Sequence, residues 1–436
     1  MENINTGTGA SMERAFTQPS AAPTGMSSAR VLPLSDRELS DNVATVLRRF
    51  TEWLAIYGGT SWDHQSFFAG PVGGRAKALY YSHGTIGIAA VAPIILCEAF
   101  LPSARRLFHH RIRFPIADAH YAMGFLFFHQ ATGESACLEK AVHFLDELKK
   151  SRCPGFEEYC WGYPFDWVTR GGVIKKDTPL ITTTPYVYEA FLQAFEIDQR
   201  DEWKRVLASI ARHARFDIKS FTKSPTASSC SYTPFDGAGG VVNAAAYRAF
   251  LLTSAARTFA NDDYAKNAER NLNFVLETQN ADGSWCYAMD QVRDFVDHYH
   301  TCFVMKALAK IQQLTGDERI RSALEKGVNY YLHNLFDADG LPKPFSKAPR
   351  LTVYKRELYD CAECINLCLL LWREFPQLEQ TLNRVIQHIL NCWIKPDGSF
   401  RSRRLHFGWD NVPMHRWAQS QMFRSLAYYL YEENRG

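Results

Sequence analysis

The chain has 436 residues, with 49 Lys+Arg against 46 Asp+Glu, 46% hydrophobic and 14% aromatic residues. A net charge of +3 is too close to neutral to argue for nucleic acid or an anionic membrane, and the apolar fraction is enough to cover a large core. The 11 cysteines form no even, regularly spaced framework, and residues 1–16 lack a basic start followed by an apolar run, so a reducing, cytoplasmic setting without a secretory signal is expected.

Residues 1–35 are rich in Ser, Thr, Ala, Gly and Pro without periodicity and read as a disordered tail, leaving 36–436 as the folded domain. Ser35-Asp36-Arg37-Glu38 is a helix start, and Val43, Val46, Leu47, Phe50 and Leu54 carry helical spacing through Tyr57. A loop with Trp62, Asp63 and His64 leads to the most apolar segment, Thr85–Cys97, with Glu98 directly after it. That segment is too short for a membrane span and suits a buried helix. A helix follows Pro115, and Leu138, Val142, Leu145 and Leu148 line one face of an amphipathic Ala136–Lys150.

From there the pattern repeats. Apolar, small-residue helices are expected to begin near Thr184, Val241, His300, Cys361 and His415, at nearly even steps along the chain. More charged helices alternate with them: Asp201–Arg212, Asp263–Gln279, Glu318–Leu335 and Gln377–Trp393. Asp-Gly recurs at Asp282, Asp339 and Asp397 with the same spacing. Two helices per unit at such a regular period predict an all-α ring of about six hairpins, an (α/α)6 toroid of inner and outer helices. The loops preceding the inner helices then gather at one end, and a cleft is expected there. The Asp-Gly turns are expected on one rim and the helix entrances at His300, Cys361 and His415 on the other.

Five loops supply the candidate site. In Tyr159–Trp167, five of nine residues are aromatic; Trp161, Tyr163 and Trp167 suit a saccharide subsite and Asp166 an acid, although a packed aromatic plug would read the same way. Tyr186, Tyr232, Asp236, Asn243 and Tyr287 occupy the next loops and helix entrances as sugar contacts. Asp297-His298-Tyr299-His300 joins a carboxylate, two imidazoles and a phenol at a helix entrance. One inward histidine, His300 or else His298, is the preferred general acid/base, with Asp297 fixing its tautomer and Tyr299 beside it; a capping histidine or a metal pair are the alternatives. Tyr359, Asp360 and Glu363 fall at the next entrance as cleft residues, with Asp360 also a catalytic acid candidate. Cys361 and Cys364 form a Cys-x-x-Cys without a matching second pair, so core thiols are expected and no metal or cofactor. Arg401, Arg403, Arg404, His415 and Arg416 converge on the same end, where arginines would hold carboxylates or phosphates.

Gln279 with Asp282-Gly283-Ser284-Trp285 resembles the Gln…Gly-x-Trp repeat of squalene-hopene cyclases and protein prenyltransferases, in which the motif ties a helix end to the next turn. That resemblance implies the toroid and not the chemistry: the Asp-x-Asp-Asp motif of triterpene cyclases is missing, as are the farnesyl-transfer zinc motif and the Cys-His-Gly of lanthionine cyclases. The Gly-Tyr-Pro-Phe-Asp-Trp, Thr-Thr-Thr-Pro-Tyr and Asp-His-Tyr-His-Thr segments resemble toroid proteins of bacterial exopolysaccharide clusters over residues 36–436. The expectation is a polysaccharide-modifying enzyme acting on an anionic oligo- or polysaccharide, by uronate lysis, epimerisation or hydrolysis. A glycan-binding scaffold and a zinc-dependent lanthionine-cyclase-like enzyme are the alternatives.

Overall fold

The computed structural model describes residues 36–435; the expected tail lies outside them. The chain opens with α1 (Asp36–Tyr57) and an insertion of α2 (Ser66–Ala69), α3 (Pro71–Ser82), α4 (Gly84–Phe100) and α5 (Arg105–Phe108). Then come α6 (Pro115–Thr132), α7 (Ser135–Lys150), α8 (Thr184–Asp198), α9 (Asp201–Arg212), α10 (Val242–Phe259) and α11 (Asp262–Glu277). The last are α12 (His298–Thr315), α13 (Glu318–Asn334), α14 (Leu358–Leu371), α15 (Gln377–Cys392) and α16 (Ser420–Glu433). Even-numbered helices from α6 to α16 pack side by side and close α16 onto α6; α1, α7, α9, α11, α13 and α15 form the outer ring. The fold is an (α/α)6 toroid.

Patterning explains which helix goes where. Inner α10 is apolar almost all round, and nearly every residue from Val242 to Ala255 is buried. Outer α11 buries only one stripe, including Leu272 and Val275, and keeps its charges outside. Its start is set locally: the Asn261 side chain accepts from the backbone N–H of Asp263 and Tyr264, and Asp262 and Asp263 complement the helix dipole. Each fully buried Leu or Val side chain contributes about 1.5–3 kcal/mol, so the two rings of helices hold each other. Ring closure depends on a small residue: a Cβ on Gly124 of α6 would lie 2.7 Å from the Phe423 ring of α16. A bulky side chain there would force the closing helices apart.

Two expectations fail. The Asp-Gly turns do not occupy the rim opposite the helix entrances. Each turn starts the loop that leads from an outer helix to the next inner helix, so turn and entrance share one end of the ring. They differ in radius instead. The Gln279 side-chain amide donates to Gly283 O and to Ala323 O of α13, and Trp285 Nε1 donates to Val275 O, which fastens the turn to the outer wall. Rim separation therefore lends the site no support; its placement rests on the inner-helix entrances alone.

The second failure is α4. It is the apolar segment expected to be buried, yet Ile86, Ile88, Leu96 and Phe100 are exposed. Only one side packs, in a small cluster of Phe67, Ala76, Val91 and Ile94 separate from the main core.

Candidate active site

The loops between outer and inner helices are stapled to one another by short antiparallel pairs. Val296–Asp297 pairs with Phe345–Lys347, and His298 N donates to Pro344 O at 2.9 Å, which fixes the entrance of α12. Asp297 is the N-cap of that helix. One carboxyl oxygen accepts from His300 N at 2.9 Å, and the other accepts from His300 Nδ1 at 2.6 Å. The spacing Asp-x-x-His produces this pairing, because the third residue after the cap returns its side chain over the cap. Since the carboxyl oxygen accepts, Nδ1 carries the proton, and Nε2 of a neutral ring is left as the base. His300 keeps 19% of its side chain exposed, and Asp297 keeps none.

Aromatic rings surround this pair. Tyr287 lies 4.5 Å from the His300 ring and Tyr299 4.4 Å, centroid to centroid. Tyr299 continues to Tyr359 at 5.1 Å and to Trp417 at 5.6 Å, and the Phe303 ring contacts those of Tyr299, His300 and Tyr359. Tyr163, Trp167 and Tyr232 form a second group, with Tyr163 5.4 Å from Trp167 and Trp167 6.2 Å from Tyr232. Deeper in the ring, Tyr186 and Tyr247 share a hydrogen bond of 2.6 Å. Burial raises the hydroxyl pKa of Tyr299 well above its ordinary value, and Asp297 adds to it, so this phenol stays protonated as a donor.

Two buried acids of α14 behave differently. Asp360 is fully buried, with neither carboxyl oxygen hydrogen-bonded. Burial pushes its pKa well above the carboxylate range, reinforced by Glu357, Asp297 and Glu363, so the protonated form is favoured. Glu363 is held by Lys306 of α12 at 2.5 Å. Asn243, at the start of α10, is buried with its Oδ1 unpartnered.

Other expected site residues are placed elsewhere. His298 turns outward, 2.8 Å from Tyr331 Oη and 3.2 Å from Leu335 O, and burial lowers its pKa to about 3. His415 is fixed the same way by Tyr121 Oη at 2.5 Å and Gly58 O at 3.0 Å, its pKa also lowered by burial to about 3. Trp161 is fully buried and donates to Leu148 O, as a packed plug would. Asp166 pairs with Lys175 at 3.0 Å at the base of a small hairpin, and Asp236 caps its own turn through Tyr232 N and Thr233 N.

Arg403 and Arg416 are neutralised. Arg416 makes a two-pronged pair with Asp63, at 2.6 and 3.0 Å, while its guanidinium lies over Tyr163 and Trp417. Although burial opposes it, Arg416 holds Asp63 well below the carboxylate range. Arg403 is buried between Glu98 of α4, at 2.7 Å, and Glu357. Arg401 donates to Asn411 Oδ1 and Arg404 to Gly408 O, and both guanidinium groups lie over Trp409. Cys361 and Cys364 are buried among apolar residues, and among the described residues no three His, Cys, Asp or Glu side chains converge as a metal site would require.

Residues not anticipated include Trp417, Phe303 and Lys306, which share the lumen, and His64, whose ring meets Trp417 at 4.8 Å. Their inner-helix phase was readable for Phe303 and Lys306, three and six residues after His300. Nothing in the text of the chain joined His64 to Trp417 across the ring. Two hollows lie away from this end. One sits on the outer wall between α11 and α13, and the other among the inner helices, lined by Glu189, Lys306, Lys310 and Arg424.

No family model and no curated protein matches the chain. Among solved structures, it is similar to a possible member of the GH105 family from Salmonella enterica, with TM-score 0.60 and 11% identity over 95% of this chain and 99% of that one. A cellobiose 2-epimerase from Bacillus thermoamylovorans matches with TM-score 0.59 and 10% identity over 74% of this chain and 88% of that one. A polysaccharide lyase matches with TM-score 0.54 and 9% identity over 91% and 97%. At such identities the likeness concerns the fold.

Proposed function

We propose that the protein is a saccharide-modifying enzyme in which His300, oriented by Asp297, moves a proton at a sugar carbon, in an epimerisation or a β-elimination. The observation that carries this reading is the 2.6 Å contact between His300 Nδ1 and the Asp297 carboxyl within an aromatic-lined barrel end. Nε2 takes the proton from carbon, Tyr299, whose ring adjoins that of His300, is the donor that returns one, and Tyr287, Tyr359 and Trp417 offer flat faces to a pyranose. Toroids of this shape among the similar structures include an epimerase, a polysaccharide lyase and a possible member of the GH105 family, which supports a glycan as substrate.

Proton abstraction is favoured over hydrolysis by two carboxylates. Hydrolysis needs a facing pair, and here Asp297 is engaged by His300, Glu363 by Lys306, and Asp166 and Asp236 by their own turns. The preference for an anionic glycan keeps less support than the glycan itself, because Arg403 and Arg416 are matched by acids of the protein.

The test is solvent deuterium incorporation, followed by NMR, across neutral and uronate-containing oligosaccharides. Wild-type protein is expected to exchange a carbon-bound proton in at least one of them. His300→Ala is expected to lower that rate by about 10²–10⁴-fold, the scale of a general acid/base. Saccharide binding without exchange or turnover anywhere in the panel would make the protein a glycan-binding scaffold instead.

A further inference from the structure

Helix α4 has no charged residue from Gly84 to Cys97 and is apolar on every side. A helix of that composition is normally enclosed, either by protein or by lipid. Here Ile86 is 66% exposed, Ile88 56% and Leu96 58%. The patch continues beyond the helix: Phe100 stacks on Phe407 of the last loop at 5.7 Å, and Val72 and Leu79 extend it along α3. Exposed apolar surfaces of this extent mark a partner.

The surroundings are basic. From His64 to Arg113 there are six Lys or Arg, of which Arg105 is matched by Asp410 and Arg113 by Asp118 and Glu147, and a single acid, Glu98, which is matched by Arg403. Arg75 lies on the exposed side of α3, and the charges of Arg170 and Arg350 act on Tyr81 near the hairpin tip. None of these three arginines has an ion pair among the described residues. Tyr80 and Tyr81 stand at the tip, the amphipathic ring type that settles at the boundary between lipid and water.

We propose that the α3–α4 hairpin is a docking surface for an anionic lipid bilayer, lying in the interface and not crossing it. The 17 residues of α4 end in a bend of 117° into the following turn, and no single helix among the described residues is long and apolar enough to span. An apolar helix face with a basic surround is what interfacial binding to anionic lipid uses. A second copy of the chain fits less well, because a two-fold contact sets the same patch against itself and brings the basic surround onto its own copy. The near-neutral total charge concealed this local excess. Because the hairpin is inserted ahead of an inner helix, docking sets the His300 end of the barrel toward the bilayer.

The experiment is co-sedimentation of the full chain with vesicles of phosphatidylcholine alone and of phosphatidylcholine mixed with phosphatidylglycerol. Wild type is expected to partition onto the anionic vesicles more strongly than onto the neutral ones. The Ile88→Asp/Leu96→Asp variant is expected to lose at least tenfold in partitioning with an unchanged melting temperature, both positions being exposed; Ile88→Ser/Leu96→Ser replaces it if the charged pair disturbs folding. Failure of wild type to bind either vesicle overturns the proposal, as does equal binding by the variant. Sedimentation velocity covers the remaining case: a wild-type dimer without vesicle affinity, dissociated by the same variant, would make the patch a self-contact.

Discussion

The entrances of α12 and α16 are corresponding parts of the ring, and both are dense in polar side chains, yet the structure uses them oppositely. At the α12 entrance, Asp297 engages His300 on one nitrogen and leaves the ring partly exposed among tyrosines. At the α16 entrance, acids from the insertion and its neighbours neutralise the basic residues: Asp63 meets Arg416, Glu98 and Glu357 meet Arg403, and Asp410 meets Arg105. One entrance holds polar atoms available to a ligand. The other is a buried ion network that fastens the insertion to the barrel. Residue type alone does not separate the two, because a functional site is defined by what remains unpaired.

The sharpest way to break this comparison is to cut the network. Arg403→Ala leaves Glu98 and Glu357 buried without their cation, and removing one member of a buried ion pair typically costs about 3–5 kcal/mol. The denaturant midpoint should fall accordingly, while the surviving folded protein keeps its turnover. Lost turnover without lost stability would return Arg403 to the substrate and reverse the assignment of the two entrances.

A smaller effect is expected inside the α12 entrance, where His298 and His300 are two residues apart and face different ways. His298→Ala deprives Tyr331 Oη and Leu335 O of their partner and opens a cavity, a loss of about 2–3 kcal/mol in a urea titration. Burial holds His298 and His415 neutral, with pKa values of about 3 against about 6.5 when unfolded. Groups depressed in this way contribute stability that is complete above the unfolded value and is lost as pH falls toward 3. Wild type should therefore lose stability below pH 6.5, and His298→Ala should show a shallower decline. An identical pH dependence would mean that His298 is not buried as described.

Much of the fold was legible because period and composition act locally. The inner helices begin within about five residues of the expected positions, and α9 spans Asp201–Arg212 as read from its pattern. The neighbourhood of Asp297 and His300 was visible in the sequence, but the cap that pairs them was not, because the helix start was read near His300 while α12 begins at His298. What else was not legible depends on distant partners. Tyr331 claims His298 from the next helix, and Glu98 claims Arg403 from more than three hundred residues away. The exposure of α4 was misread because a short apolar helix carries the same text whether protein or something else covers it.

Asp297→Asn sharpens the comparison without disturbing the fold. Asparagine still caps α12, so stability should change by less than about 1 kcal/mol. The amide can no longer hold the charged partner of an imidazolium or enforce one tautomer. Turnover should fall by roughly tenfold to a hundredfold, the scale on which an orienting partner of a histidine matters. Unchanged turnover in this variant would detach Asp297 from the acid/base role.

The smallest expected effect belongs to Arg401 and Arg404, which the sequence placed among the ligand-binding residues. Each guanidinium rests over Trp409 at 4.9 Å, and their polar contacts are to Asn411 Oδ1 and Gly408 O of the same loop. A partly exposed cation–π contact is worth about 0.5–1 kcal/mol, so Arg401→Ala and Arg404→Ala should each lower stability by no more than that. With both guanidinium groups engaged within their own loop, KM for any saccharide turned over by wild type should change by less than about twofold. The measurement that matters is KM for a uronate-containing oligosaccharide at two salt concentrations. A large, salt-sensitive rise in KM in either variant would show that this loop does reach an anionic substrate, and the α16 entrance would then share the binding surface now assigned to α12 alone.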